Sequence, residues 1–364
     1  MLKFNLPNEH TTRLTAIGLM SGTSLDGLDI CLAEFLFTNN KWNYAIIDST
    51  TIAYSQNFKQ DLSSAYTKTG RDLMHIDACF GKWCGQQINE FLARKGNSTQ
   101  KIDVIGSHGH TVFHEPTNGF STQIGNGAHI AAVTGIPCVN NFRSADVARG
   151  GQGAPLVPIG DELLFNEYKF CLNLGGFANI SFNEGGKRVA FDICPANMPL
   201  NIIAANENKE FDEDGNIARS GAVNQLLLAE LNKLEFYSIL GAKSLGREWF
   251  EENFLPIISN FPVSNNDLLR TISEHIAKQI ASVLNRNPRG NVLITGGGAK
   301  NSFLIDLIKS KVESKIDIPS ASIIDFKESL IFAFLAVLFI TKNTSCLASV
   351  TGASENSIGG SLYL

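Results

Sequence analysis

Residues 16–35, AIGLMSGTSLDGLDICLAEF, decide the fold class. AIGLM is a short apolar run, SGTSLDG is dense in turn formers, and LDICLAEF is apolar again, so the stretch reads as strand, tight turn, strand. Residues 170–182, FCLNLGGFANISF, repeat the pattern around a Gly-Gly turn, and the two hairpins together suggest a duplicated architecture. A third glycine turn follows NVLI in residues 291–312, NVLITGGGAKNSFLIDLIKSKV, and opens a helix. Between these lie a further strand-like passage, 42–54, and helix-like stretches between 61 and 95. KIDVIGSHGHT at 101–111 reads as a short strand running into a turn, and helices dominate from Ala222 onward. Strands alternating with helices make this an α/β protein.

The three glycine turns share a physical meaning. Backbone without Cβ atoms can present N–H groups to phosphate oxygens, and nearby Ser or Thr hydroxyls add donors. Taken singly, each also reads as a plain tight turn; three after buried strands tip the reading toward a nucleotide. GxxxxGK[ST], GxSxG, HExxH and protein-kinase signatures are absent, and GNGAHI at 125–130 fails a GxGxxG pattern at its sixth position. What remains is a fold that holds phosphates between glycine hairpins on two domains.

Composition narrows the partners. The 364 residues suggest two domains; 44% are apolar and 18% charged, enough for a packed core. Thirty Lys and Arg against 35 Asp and Glu give a net charge of −5, which argues against a nucleic-acid backbone binder. The longest apolar run, 330–340, is 11 residues, about half a bilayer as a helix, and reads as a buried helix with no membrane role. Residues 1–20 contain Glu9, His10 and Arg13 and lack an apolar export core. Seven scattered cysteines with no CxxC read as reduced thiols of a cytoplasmic protein.

Asp146 is the candidate catalytic carboxylate. It lies in 135–158, GIPCVNNFRSADVARGGQGAPLVP, whose Gly and Pro density excludes a regular element and implies an ordered, irregular backbone. Functional side chains concentrate on such loops, although a lone Asp there also serves as a turn cap. His108, His110 and His114 invite a metal reading, and 108 and 110 would share a strand face. No third ligand has suitable spacing, so no metal is assigned; His110 and Thr111 read better as substrate hydrogen-bond donors. Glu328 begins the apolar helix of 326–340, either complementing the helix dipole or facing a ligand from a rigid helix end.

Together these motifs resemble the anhydro-N-acetylmuramic acid kinases. The resemblance runs through 17–32 (IGLMSGTSLDGLDICL), 106–116 (GSHGHTVFHEP), 142–158 (FRSADVARGGQGAPLVP), 172–182 (LNLGGFANISF), 294–304 (ITGGGAKNSFL) and 326–336 (FKESLIFAFLA). It implies a two-domain actin-like ATPase fold, the acetate and sugar kinase/Hsp70/actin class, with an interdomain cleft. The expected domains are 1–140, joined by 345–364, and 141–344. The implied activity is ATP- and Mg²⁺-dependent opening of 1,6-anhydro-N-acetylmuramic acid by water with phosphorylation of O6, giving N-acetylmuramic acid 6-phosphate in cell-wall recycling. Asp146 would be the general base for the attacking water. Gly22, Thr23, Ser24, Leu25, Asp26, Gly27, Leu28 and Asp29 match the ATP phosphate segment. Gly175, Gly176, Gly296, Gly297 and Gly298 follow by superfamily analogy, and His110, Thr111 and Glu328 fall on the sugar-binding surface. A homodimer is a family-level expectation.

The chain also departs from the pattern. His110 stands where many members have Gln, and 191–201, FDICPANMPLN, carries Ile193 and Cys194 for Thr-Gly and Asn201 for an acid. Losing a glycine beside a ligand would crowd it, and losing the acid would remove a cation or water contact. These departures support the alternative of a catalytically weakened sensor binding ATP and muropeptide fragments. A different actin-like phosphotransferase is the third reading.

Overall fold

The computed structural model describes residues 11–22, 25–94 and 101–364. The chain divides into two compact units, Met1–Leu164 with Phe326–Leu364, and Phe165–Asp325. Residues 141–164 and 326–344, expected in the second domain, therefore belong to the first, and Asp146 and Glu328 with them.

In the first unit, β1 (Thr11–Ser21), β2 (Gly27–Thr38) and β3 (Lys41–Ala53) form an antiparallel meander, with Thr11 opposite Thr38 and Ser21 opposite Leu28. β4 (Val104–Glu115) runs parallel to β1, β5 (Phe120–Ile124) folds back on β4, and β6 (Cys138–Asn140) is parallel to β4. In the second unit, β7 (Phe170–Leu174), β8 (Phe177–Glu184) and β9 (Lys187–Pro195) form another antiparallel meander. β10 (Val292–Thr295) pairs parallel to β7, and β11 (Ile316–Asp317) parallel to β10. β12 (Ser361–Tyr363) closes the first sheet against β6. The orders β3-β2-β1-β4-β6 and β9-β8-β7-β10-β11 are identical in sequence of partners and direction. The duplication suggested by two short hairpins is thus a repeat of the whole five-strand pattern.

Two local readings change. β4 does not stop at a turn after His108; Gly109 takes φ +76° and the strand continues to Glu115. The Gly/Pro-rich 135–158 stretch holds the short strand β6 and a one-turn helix, Ser144–Val147, so Asp146 sits on helix and not on loop.

The first sheet is covered on both faces. Ile17, Leu19, Ile30 and Ile105 pack into one core with Phe80, Cys84, Ile88 and Phe91, one face of the helix Gly70–Arg94. The helix Ala321–Ile340 serves the opposite face, where Gly18 and Gly106 are directly paired across β1 and β4. A Cβ on Gly18 would lie 1.7 Å from the Ser329 carbonyl oxygen, and one on Gly106 would lie 2.0 Å from that of Phe332. The two missing side chains form a notch that admits helix backbone. From Leu330 to Leu338 every side chain is buried, which explains why this helix is apolar all round. No helix among the described residues is long and apolar enough to cross a membrane. In the second unit, Leu269, Ile272, Ile276, Ile280 and Leu284 of the helix Asn265–Asn285 meet Leu172, Ile180 and Ile294 of the sheet.

Because the obstructing atoms at the notch are backbone, Gly18→Ala and Gly106→Ala are expected to cost about 1–3 kcal/mol or more. Chemical denaturation checks this; wild-type stability in both variants contradicts the close approach.

Candidate active site

Asp146 is fully buried. Its carboxylate is held from three sides: Thr351 Oγ1 donates to Oδ1 at 2.7 Å, the Cys346 thiol donates to Oδ1 at 3.3 Å, and the Gly153 amide donates to Oδ2 at 2.8 Å. Four lone-pair positions are available on a carboxylate. Both positions on Oδ1 are taken and one remains on Oδ2. Gly151 is a glycine for the same reason, since a Cβ there would stand 2.2 Å from Oδ2.

One turn earlier, half-buried Arg143 donates from Nη1 to the Gly153 carbonyl at 2.6 Å and from Nη2 to His108 Nε2 at 2.8 Å. His108 in turn donates from Nδ1 to the Gly109 carbonyl at 2.9 Å, so its tautomer is fixed. Burial, reinforced by Arg143, holds His108 well below the usual histidine range and neutral. Burial also lowers Arg143, to about 10, against the pull of Glu328, so the guanidinium stays charged at neutral pH.

Glu328 is the eighth residue of the helix Ala321–Ile340 and does not begin it, so the helix-dipole reading fails. Its surface is open to solvent, yet surrounding protein desolvates it and raises its carboxyl, while Lys327 and Arg143 pull the other way. His110 is buried and bonded through Nδ1 to Ser21 Oγ, and Thr111 beside it is half-buried, accepting from Gln123 Nε2 at 3.4 Å. His114 bonds instead to Ser121 Oγ. The three histidines serve three different partners, and no cluster of three metal-ligating side chains occurs among the described residues.

Of the Gly22–Asp29 segment, Thr23 and Ser24 lie outside the described residues. Leu25 takes φ +59° and its amide donates to the Gly22 carbonyl at 3.2 Å, closing the hairpin turn. Gly27 passes close to the Ile52 carbonyl, the Leu28 side chain is in the core, and Asp29 accepts from Thr51 Oγ1 at 2.6 Å. Asp26 is exposed. Leu28 therefore offers no side chain to a ligand.

In the second unit the remaining glycine turns converge on Asn197. The Gly175 carbonyl accepts from the Asn197 amide and the Gly176 carbonyl from the Ala196 and Met198 amides, starting the helix Asn197–Ala205. Asn197 Nδ2 donates to the Leu174 carbonyl at 2.9 Å, and Gly297 and Gly298 lie against the same side chain. A recess of about 490 Å³ opens there, lined by Asn197, Asn201, Phe211, Asp214, Gly297 and Lys300 among others, within the size range of ligand sites. Asn201 thus stands on the recess wall. Ile193 and Cys194 do not line this recess; both are buried in the hydrophobic core.

Arg143, Thr351, Cys346 and Asn197 were not singled out in the sequence. Arg143 and Asn197 lie inside stretches that were, but Thr351 and Cys346 are 205 and 200 residues from Asp146 and carry no local signal.

Comparison with known proteins places this arrangement. A model of the family described as anhydro-N-acetylmuramic acid kinase matches residues 14–364. The chain is 34% identical to the anhydro-N-acetylmuramic acid kinase of Pseudomonas putida over 95% of its own length and 98% of that protein. It is 35% identical to that of Shewanella frigidimarina over 95% and 97%. Among solved structures, the ADPNP-bound activator of 2-hydroxyisocaproyl-CoA dehydratase from Clostridium difficile is similar at 15% identity and a TM-score of 0.44, over 90% of this chain and 96% of that one. With a family match spanning almost the whole sequence and relatives above 30% identity over nearly their full length, the chain belongs to the anhydro-N-acetylmuramic acid kinase family.

Proposed function

We propose that this chain is an active member of its family, a cytoplasmic enzyme of peptidoglycan recycling. It would convert 1,6-anhydro-N-acetylmuramic acid, water and ATP into N-acetylmuramic acid 6-phosphate and ADP. The observation that carries the reading is the Asp146 carboxylate, enclosed and oriented by three donors with a single lone pair left on Oδ2. That is the description of a fixed general base, whose geometry is settled before substrate arrives.

The steps follow from that atom. Oδ2 takes a proton from water as the water oxygen bonds to C1 of the sugar. The C1–O6 bond breaks, and its electron pair passes to O6, which accepts the γ-phosphoryl group supplied by ATP. Transfer to phosphorus absorbs the charge developing on O6, so no strong acid is needed at that oxygen. Arg143, charged and half-buried, holds the Gly153 loop that donates to Oδ2. His110, Thr111 and Glu328 are assigned to the sugar.

For the nucleotide, the recess of the second unit fits the nucleoside end. Gly297 and Gly298 bring backbone to its wall, Phe211 offers an exposed ring, and the Asp214 carboxylate suits ribose hydroxyls better than phosphates. Gly22, Thr23, Ser24, Leu25, Asp26, Gly27 and Asp29 are assigned to the phosphates. Mg²⁺ would neutralise phosphate charge. With no cluster of three acidic or histidine ligands among the described residues, it would rest mainly on phosphate oxygens and water, the usual Mg²⁺ pattern. A homodimer belongs to the same reading, and sedimentation velocity at the monomer mass would contradict it.

Asp146→Asn is expected to lower kcat by about 10²–10⁴-fold, roughly 3–5 kcal/mol of barrier. The assay follows sugar-dependent ADP release and uptake of labelled solvent oxygen at C1; full turnover, or a phosphorylated product with its anhydro ring intact, refutes the mechanism. A Cβ on Gly297 would meet only Asn197 Nδ2, at 3.6 Å, so the fold tolerates a side chain there that projects toward the recess. Gly297→Val is therefore expected to raise the KM for ATP on the order of tenfold with little change in melting temperature. An unchanged KM removes the nucleotide from this recess.

A further inference from the structure

The sequence H-G-H at 108–110 places two buried histidines two residues apart, and the structure gives them opposite surroundings. Gly109, at φ +76°, interrupts the pleat between them. His108 is bound at both ring nitrogens, donating from Nδ1 and accepting at Nε2. His110 is bound at Nδ1 alone, by Ser21 Oγ at 3.1 Å, directly across the β1–β4 pairing. Ser21 Oγ also receives the Tyr54 hydroxyl at 2.8 Å. All three side chains are buried, at 2%, 5% and 6% exposure for Ser21, His110 and Tyr54. Tyr54 is in turn anchored among Phe58, Phe80 and Trp83, with ring centroids 5.5–6.2 Å away.

Hydrogen-bond satisfaction fixes the direction of this chain. A phenol is the better donor of the two hydroxyls, so Tyr54 gives its proton to Ser21 Oγ. Were His110 also to donate from Nδ1, Ser21 would accept twice and leave its own buried O–H unpaired, a loss of about 1–3 kcal/mol. With Ser21 donating to an unprotonated Nδ1, every group is satisfied. Burial lowers His110 below the ordinary histidine range, which keeps the ring neutral and consistent with a single ring proton. That proton is then on Nε2, which makes no hydrogen bond among the described residues.

We propose that Ser21 and Tyr54 are positioning residues that lock His110 as an Nε2–H donor for the sugar. The role of the donor rests on the reading of His110 as sugar-facing; the lock itself does not. It would recognise an acceptor oxygen, a hydroxyl, carbonyl or carboxylate of the substrate, and would disfavour a donor-only group at that place.

The test uses the full chain labelled with ¹⁵N-histidine, whose ring shifts report the tautomer without turnover. His110 is expected as the Nε2–H form with an unprotonated Nδ1, and Ser21→Ala is expected to give a mixed tautomer. In parallel, Ser21→Ala should raise the KM for the anhydro sugar roughly fivefold, the scale of one hydrogen bond, while the KM for ATP stays put. Ser21→Thr, which keeps the hydroxyl, should bring the sugar KM back. A wild-type Nδ1–H ring overturns the proposal. So does a sugar KM unmoved by Ser21→Ala when the tautomer is as expected. Failure of the kinase reading would appear separately, as the absence of sugar-dependent turnover in the wild-type protein.

Discussion

The contact on which most of this structure depends is the seating of one helix in a notch made by two glycines. Gly18 and Gly106 sit side by side on adjacent parallel strands, and the backbone of Ala321–Ile340 descends into the space their side chains would occupy. Such an approach replaces side-chain packing by direct contact of helix and sheet backbones, which leaves little freedom for sliding or rotation. Glu328 is adjacent to Ser329, the residue lying over Gly18, and His108 packs its ring 4.5 Å from Phe332, the residue lying over Gly106. Lys327, buried on the same turn, is tied to Asp161 at 2.7 Å. A lone buried ammonium would be costly; this pair costs less because it is complete, and it sets the helix rotation that faces Glu328 outward.

A second constraint is the accounting of protons in the buried polar groups. At Asp146, at His108 and at His110 the partners already bound decide what each group still offers. Asp146 keeps one acceptor position, His108 keeps nothing, and His110 keeps one donor. The partners that set these vacancies are Thr351, Cys346, Arg143, Ser21 and Tyr54.

What was legible in the sequence follows the range of the forces involved. The hairpins around 22–27 and 175–176 are local events, in which turn formers between apolar runs suffice, and their repetition exposed the duplicated plan. Asp146 was legible because its neighbours Gly151 and Gly153 are needed within a few residues of it. Its partners Thr351 and Cys346 were not, because chain closure brings them from the far end. The start of the last long helix was misplaced for a related reason. Glu328 reads as the first residue of an apolar helix, whereas the helix begins seven residues earlier and the adjacent Lys327 is buried against a partner 166 positions away that no local pattern announces. Cys194 lies in a motif read as ligand-facing, but the end of β9 is buried at three successive residues and Cys194 packs in the core.

The duplicated sheets finally show where the two units differ. Their five-strand patterns are the same, so a common backbone plan does not by itself distinguish a catalytic unit from a binding one. The difference lies in what is inserted after the first parallel strand. After β4, the first unit carries the hairpin strand β5 before its helix Gly127–Thr134 and β6, and the Asp146 helix follows β6. The second unit follows β10 at once with Gly296–Gly298, whose bare backbone opens the recess beside Asn197. The inserted hairpin strand thus marks the first copy, and bare glycine backbone beside Asn197 marks the second.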